Sequence, residues 1–153
     1  MKNGFIYFLL ASLLLSYNSI GGYENYEEKD IVENLLNQRI VIMNEFLYGE
    51  KDSENVEKLN EKLNEIEAEE LLSNDLAILY KVIDNPTDYE LAVNVKVDKI
   101  KSLNETEEGL SINADLNWLM SGYDGEFNMI KNYDINCIES AGKVYLTALK
   151  YIE

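Results

Sequence analysis

Apolar and polar residues alternate most regularly between residues 109 and 120. One set of alternate positions there is apolar throughout: Leu110, Ile112, Ala114, Leu116, Trp118 and Met120. A side-chain period of two with one apolar face indicates a half-buried antiparallel strand. Similar alternation predicts strands at residues 90–103, 126–139 and 143–152. The short polar turns between them predict a meander, in which each strand pairs with the next.

The first of these strands changes phase part of the way along. Its apolar face is predicted to carry Leu91, Val93, Val95 and Val97, after which the next apolar residue on that face is Ile100. One extra residue in a strand produces such a slip. The pattern therefore predicts a bulge near residues 98–99.

The first half of the chain has helical periodicity. Between residues 30 and 48 the apolar positions recur at intervals of three and four, with Asp30 as an N-cap and Gly49 as a stop. A second helix is predicted to begin at Ser53, and a third to cover residues 75–83 after a break at Ser73–Asn74–Asp75. Helices followed by a run of antiparallel strands predict an α+β domain, in which two to three N-terminal helices pack on a four-stranded curved meander sheet.

Three segments carry a resemblance to a known group: residues 39–48 of the first helix, residues 87–90, and residues 116–120 of the second strand. In this order they resemble the nuclear transport factor two-like, or cystatin-like, α+β cone, over residues 29–153. The resemblance implies a long first helix lying in the concave face of a curved, bulged sheet. The group holds enzymes, assembly domains and accessory domains of secretion and conjugation machines, so the resemblance does not decide function.

The amino terminus is predicted to be a targeting segment. Met1–Lys2–Asn3 is positive, and residues 4–15 are almost wholly apolar, which is typical of a signal peptide and short for a membrane span. We expect residues 1–22 to be a signal peptide or an N-terminal membrane anchor, a core helix being the third interpretation. Residues 23–29 are predicted to be an acidic spacer and residues 30–153 a single domain outside the cytoplasm, secreted or anchored. The composition suggests a bacterial source.

Composition excludes several classes of function. A net charge of −16 with a single Arg disfavours nucleic acid and anionic lipid surfaces as partners. The absence of His excludes His-based triads and His zinc sites. No Gly-rich phosphate loop is present. The lone Cys137 has no His to serve as its base, so it is not expected to be a nucleophile. We therefore predict no cofactor and no metal. Carboxylates and a phenol that could serve an enzyme are Asp115, Tyr123, Asp124 and Glu126, although a solvated face explains them as well.

Two sets of residues are candidates for a binding site. A ligand pocket between the first helix and the sheet would be lined by Arg39, Phe46, Leu116 and Trp118. The favoured interpretation of Arg39 is instead a stem that packs on the core, with its head reaching solvent or paired to a carboxylate. A partner surface on the last strand would be formed by Tyr145, Thr147, Leu149 and Tyr151, or those residues are a simple amphipathic edge.

These patterns favour an exported, non-enzymatic binding or assembly domain that contacts a protein partner, or a second copy, through its sheet face. A small-molecule carrier with the pocket described above is the alternative, followed by an enzyme that uses carboxylates alone.

Overall fold

A computed structural model describes residues 26–85, 90–106 and 109–153. The predicted signal or anchor, residues 1–22, lies outside them. The described elements are three helices, α1 (Tyr26–Tyr48), α2 (Ser53–Leu63) and α3 (Glu69–Asp84), followed by four strands, β1 (Leu91–Thr106), β2 (Gly109–Gly122), β3 (Gly125–Ser140) and β4 (Lys143–Ile152). The strands form one antiparallel sheet in the order β1-β2-β3-β4. The predicted α+β meander is therefore confirmed.

Helix α1 begins earlier than the sequence pattern indicates. Its first residue is Tyr26, not Asp30, so the second half of the predicted acidic spacer is helical. Glu27 and Glu28 occupy the first turn, where carboxylates interact favourably with the helix dipole. No helix within the described ranges is long and apolar enough to cross a membrane.

The break between α2 and α3 lies elsewhere than predicted. Ser73 and Asp75, which were expected to interrupt the helix, lie inside α3. The Ser73 hydroxyl donates to the Glu69 carbonyl at 3.1 Å, and Asp75 has a partner on α1 described below. The helix is interrupted instead at residues 64–68, because the Leu146 N–H donates to the Ile66 carbonyl at 2.8 Å and holds that segment against β4.

Strand β1 carries the predicted bulge and two others. Its register with β2 shifts between Val97 and Lys99, as predicted, and also at Ala92/Asn94 and Ile100/Ser102. The extra shift places Val93 outside the ladder, where it is 43% exposed. Ala92, not Leu91, then packs against the core. The prediction that Leu91 and Val93 share the buried face was wrong, because one inserted residue reverses the two-residue alternation.

Side chains of α1 form hydrogen bonds with backbone groups on the outer edge of β1. The Asn37 amide donates to the Val95 carbonyl at 2.8 Å and accepts from the Val95 N–H at 3.0 Å. The Glu33 carboxylate accepts from the Val97 N–H at 2.9 Å, and Asn44 donates to a carbonyl at the start of β1 at 2.7 Å. These groups take the place of a neighbouring strand along the first half of β1, where backbone groups would otherwise be exposed and unpaired.

The core has two parts that meet along α1. The first lies between α1 and the sheet and includes Leu36, Val95, Leu116 and Ile135; the second lies among the three helices, around Phe46. Helix α1 therefore covers one face of the sheet and also carries the other two helices.

Candidate functional site

The four predicted pocket residues lie in different parts of the described structure. Phe46 is fully buried among the helices, whereas Leu116 is fully buried between the sheet and α1. Arg39 and Trp118 instead belong to two polar and aromatic features of the concave face, the face of the sheet that α1 covers. These two features form the candidate site.

The first feature is a buried ion cluster, which we define as Arg39, Glu67 and Asp75. The Arg39 guanidinium donates to both oxygens of Asp75, from Nε at 2.6 Å and from Nη2 at 2.7 Å. Its Nε also lies 3.1 Å from Glu67 Oε1. The side chains of Glu67 and Asp75 are 0% and 2% exposed. Arg39 therefore pairs with carboxylates, the second of its two sequence interpretations.

Charge within the ion cluster is balanced by a proton. Burial, and next the negative charge of Asp75, raise the pKa of Glu67 to about 8. No donor in the described part of the chain forms a hydrogen bond with either Glu67 oxygen. Burial alone would lower the pKa of Arg39, but the paired carboxylates raise it. At neutral pH a protonated Glu67 thus sits beside the charged Arg39 guanidinium.

The second feature is an aromatic row, which we define as Trp118, Tyr133 and Tyr151. The ring centroids of Trp118 and Tyr133 are 5.7 Å apart, and those of Tyr133 and Tyr151 are 5.8 Å apart. Both pairs are tilted, within the range in which aromatic rings attract each other. The Lys131 Nζ lies 5.0 Å from the Tyr151 ring centroid, a cation–π distance.

The aromatic row runs from the interior to the surface. Trp118 is 7% exposed and Tyr151 is 46% exposed. The Trp118 indole N–H is buried and has no hydrogen-bond partner among the described residues. Burial raises the pKa of Tyr133, while the charge of Arg39 acts on it in the opposite direction. The Arg39 guanidinium of the ion cluster is therefore close enough to influence the pKa of a tyrosine in the aromatic row.

The four predicted interface residues of β4 do not share one face. The register with β3 shifts between Asn136 and Cys137, which leaves Thr147 as the extra residue. Thr147 is buried, and Leu149 packs against the core. Tyr145 lies under the Lys143 Nζ, at 5.5 Å, and only Tyr151 joins the aromatic row.

Among the candidate carboxylates of an enzyme, Asp115 lies far from the others. Asp115 lies on the outer face of β2, paired with Lys101 at 2.7 Å, and hydrogen bonding to Lys101 lowers its pKa. Asp124 lies in the turn that follows β2. The strand between them spans roughly 20 Å at about 3.3 Å per residue. The two carboxylates cannot act on one bond.

A cleft between two helices lies outside the two features of the candidate site. This cleft, of about 580 Å³, lies between α1 and α2, where Val41 and Glu61 line it. Lys62 at this cleft is held by Glu45 at 2.6 Å.

Burial raises the pKa of Cys137 to about 11, so its thiol is protonated. Within the described ranges, no three His, Cys, Asp or Glu side chains are grouped to hold a metal ion.

Sequence reasoning missed Glu67, Asp75 and Tyr133. Glu67 stands in a run of acidic residues that reads as a solvated surface, and Asp75 was taken as a helix break. The one available signal was Arg39, a charge within an apolar helical stripe that requires a carboxylate partner.

The chain matches no protein-family model, and it matches no curated protein. Among solved structures it is similar to the intermembrane-space region of the chloroplast protein ARC6, with 10% identity over 81% of this chain and 95% of that chain and a TM-score of 0.46. It is also similar to a five-substitution variant of Rd1NTF2_05, with 14% identity over 82% and 99% and a TM-score of 0.43. A de novo designed β-sheet protein gives 11% identity over 80% and 88% and a TM-score of 0.33.

Similarities this distant say nothing about activity, ligand or partner. The helix-then-meander order, with α1 lying across a bulged sheet, is nevertheless the order that the nuclear transport factor two-like resemblance predicts.

Proposed function

We propose that this chain is a non-enzymatic binding domain, exported from a bacterial cytoplasm, that holds a protein partner at the surface end of its aromatic row. The observation that supports this proposal is the gradient along the row, from the buried Trp118 to the half-exposed Tyr151 beneath Lys131. An aromatic ring anchored from inside and presented at the surface is the type of residue that dominates binding energy in protein interfaces.

The surroundings of Tyr151 supply the remaining contact area. Of the nine large hydrophobic residues that are exposed in the described ranges, four lie on the β2–β3 turn, the first half of β3 and the end of β4: Tyr123, Phe127, Ile130 and Tyr151. Phe127 and Tyr151 lie on the face that α1 covers and Ile130 on the opposite face, so a partner that follows this edge of the sheet would meet exposed apolar groups on both faces, which are typical of association surfaces.

The charge of the chain indicates the character of the partner. A net charge of −16 accelerates the approach of a positively charged protein and opposes the approach of an acidic one. We therefore expect the partner to present a basic surface, and binding to weaken as salt concentration rises.

The test compares three variants in a capture experiment from the extracytoplasmic fraction of the producing cell. Tyr151→Ala and Phe127→Ala remove exposed rings near the proposed site, and Ile78→Ala removes an equally exposed apolar residue on α3. The expected result is one protein retained by the wild type and by Ile78→Ala and lost with the other two. Equal retention by all three variants would reject the aromatic row as the site.

A small-molecule carrier is the second candidate, and one observation favours it. The buried Trp118 N–H, which has no partner among the described residues, is a donor that an acceptor group of a ligand could satisfy, with a gain in free energy. Ligand entry would change the fluorescence of Trp118, the only tryptophan. The full burial of Phe46 and Leu116 argues against a deep pocket, and this candidate therefore ranks below protein binding.

A further inference from the structure

Strand β3 extends beyond strand β4. Its partner β2 accompanies it over the whole length, from Gly125 opposite Gly122 to Ile138 opposite Gly109. Strand β4 accompanies it only from Ser140 to Asn132, which faces Ile152. Residues 125–131 of β3 therefore have a strand on one side only, within the described part of the chain.

The outer edges of β1 and β4 each form hydrogen bonds with another part of the chain at some of their residues, which makes this segment different. Asn37 and its neighbours on α1 bond to β1, and the Ile66–Ala68 segment bonds to Leu146 of β4. No hydrogen bond from a described helix reaches residues 125–131, and the extensive contacts of β3 are with β2 and β4. Alternate residues of this segment consequently offer backbone N–H and C=O groups for pairing.

Side chains on this edge suit an added strand. Phe127 and Met129 share the concave face with Lys131, and Ile130 projects from the other face; Phe127 and Ile130 are 40% and 58% exposed. A strand laid beside them would cover apolar surface on both faces in addition to its backbone bonds. Lys131, at the end of this segment, contacts Tyr151, so the segment adjoins the surface end of the aromatic row.

Lys131 is the one charged side chain that points inward on this edge. An inward lysine protects an edge against indiscriminate pairing. Here its Nζ lies 5.0 Å from the Tyr151 ring centroid, so it is folded onto the end of β4. The backbone groups of residues 125–131 stay accessible beside it.

We propose that residues 125–131 of β3 receive an extended, basic segment of a partner protein as an additional strand. This inference rests on the proposed function and specifies its partner and its mode of binding. Exposed Asp124 and Glu126 flank one end of the edge and Glu153 the other, against the single Lys131. Backbone bonds supply affinity in this mode, while the alternating side chains and flanking charges select the segment.

A second copy of this chain fits the same edge poorly. Self-pairing would bring together two molecules that each carry a charge of −16, and their mutual repulsion opposes association. A basic segment removes that repulsion, and it pairs with the carboxylates that flank the edge.

The test uses an acetylated nine-residue peptide of alternating lysine and valine, and the full chain labelled with ¹⁵N. When the peptide binds, we expect changes in the amide chemical shifts of the protein to concentrate at residues 125–131 and at Tyr151. The backbone amides of that segment that point away from β2 should also exchange more slowly with solvent. The matched probe is the same peptide with alternate amides N-methylated on one edge. Losing two to three hydrogen bonds should weaken its binding about tenfold or more.

Each of the other outcomes rejects the inference. Equal affinity for the two peptides would mean attraction by charge alone, and shifts elsewhere on the sheet would mean another site. Light scattering that showed a dimer without peptide, disrupted by Ile130→Lys but not by Val41→Lys, would assign the edge to a second copy. A partner that depends on Tyr151 but leaves the exchange of these amides unchanged would reject strand addition and retain the proposed function.

Discussion

The buried carboxyl of Glu67 should make the stability of the fold depend on pH in a direction opposite to that of most acidic side chains. Its pKa is about 8 in the folded protein, against a usual value of 4.5. Between these values the folded protein retains a proton that the unfolded chain has released. The free energy of unfolding therefore falls as pH rises through this interval, and it is highest below the lower pKa.

The magnitude follows from the width of the interval. One pKa unit corresponds to about 1.4 kcal/mol, so the change from 4.5 to about 8 amounts to roughly 4 to 5 kcal/mol in total. Glu67→Gln keeps the shape of the side chain but does not titrate. Relative to the wild type, the variant should gain about 3 kcal/mol between pH 5 and pH 7.5.

The assay is urea unfolding followed by Trp118 fluorescence at intervals from pH 4.5 to pH 8.5. Glu65→Gln is the matched control, since Glu65 lies two residues away, is exposed, and meets Lys143 only at 3.4 Å. Its stability should follow that of the wild type at every pH. A Glu67→Gln curve parallel to the wild-type curve would show that Glu67 titrates normally, and the reasoning about the ion cluster would be wrong.

Four other predictions can be checked by the same unfolding measurement or by thiol labelling. Asn37→Ala should lower the free energy of unfolding by about 2 to 4 kcal/mol, because it leaves two backbone groups of β1 unpaired, whereas Gln38→Ala on the exposed side of α1 should change it by less than about 0.5 kcal/mol. Gly109→Ala should cost at least about 3 kcal/mol or prevent folding, since an added Cβ would lie 2.0 Å from the Cys137 carbonyl oxygen. Ala141→Asn should stabilise the last hairpin by about 0.5 to 1 kcal/mol, because Ala141 has φ 52° in a two-residue turn. The Cys137 thiol, whose pKa is raised to about 11, should react with a thiol reagent at pH 8 only as fast as the protein unfolds, and reaction at the rate of a free thiol would contradict its burial.

Much of the fold was predictable because it depends on local periodicity. The alternation around Leu116 set the faces of β2, and the three-four spacing of α1 set its buried stripe. The bulge between Val97 and Lys99 was visible as a phase slip. The bulge at Val93 was not, because Leu91, Ala92 and Val93 are three apolar residues in a row and alternation alone cannot show which of them is inserted.

Residues whose role depends on tertiary contacts were the ones misjudged. Asp75 reads as a helix breaker until Arg39 is placed opposite it. Tyr145 reads as one face with Leu149 and Tyr151 until the extra residue Thr147 places it on the other face of the sheet. Glu67 could not be found at all, since nothing in an acidic run marks the one carboxylate that the fold buries.

Helix α1 supplies side chains in place of a strand along β1. Without it, the sheet would expose unpaired backbone N–H and C=O groups at both of its edges. A fragment that lacks residues 1–48 would expose the backbone of β1, while residues 125–131 of β3 stay unpaired at the other edge of the sheet. Molecules of the fragment could then pair head to tail without forming a closed ring. Because the chain is strongly acidic, such a fragment should associate only at salt concentrations that screen its charge, and light scattering of the fragment against the full chain checks this. The first helix thus takes the place of a fifth strand and ends the sheet beside the first half of β1.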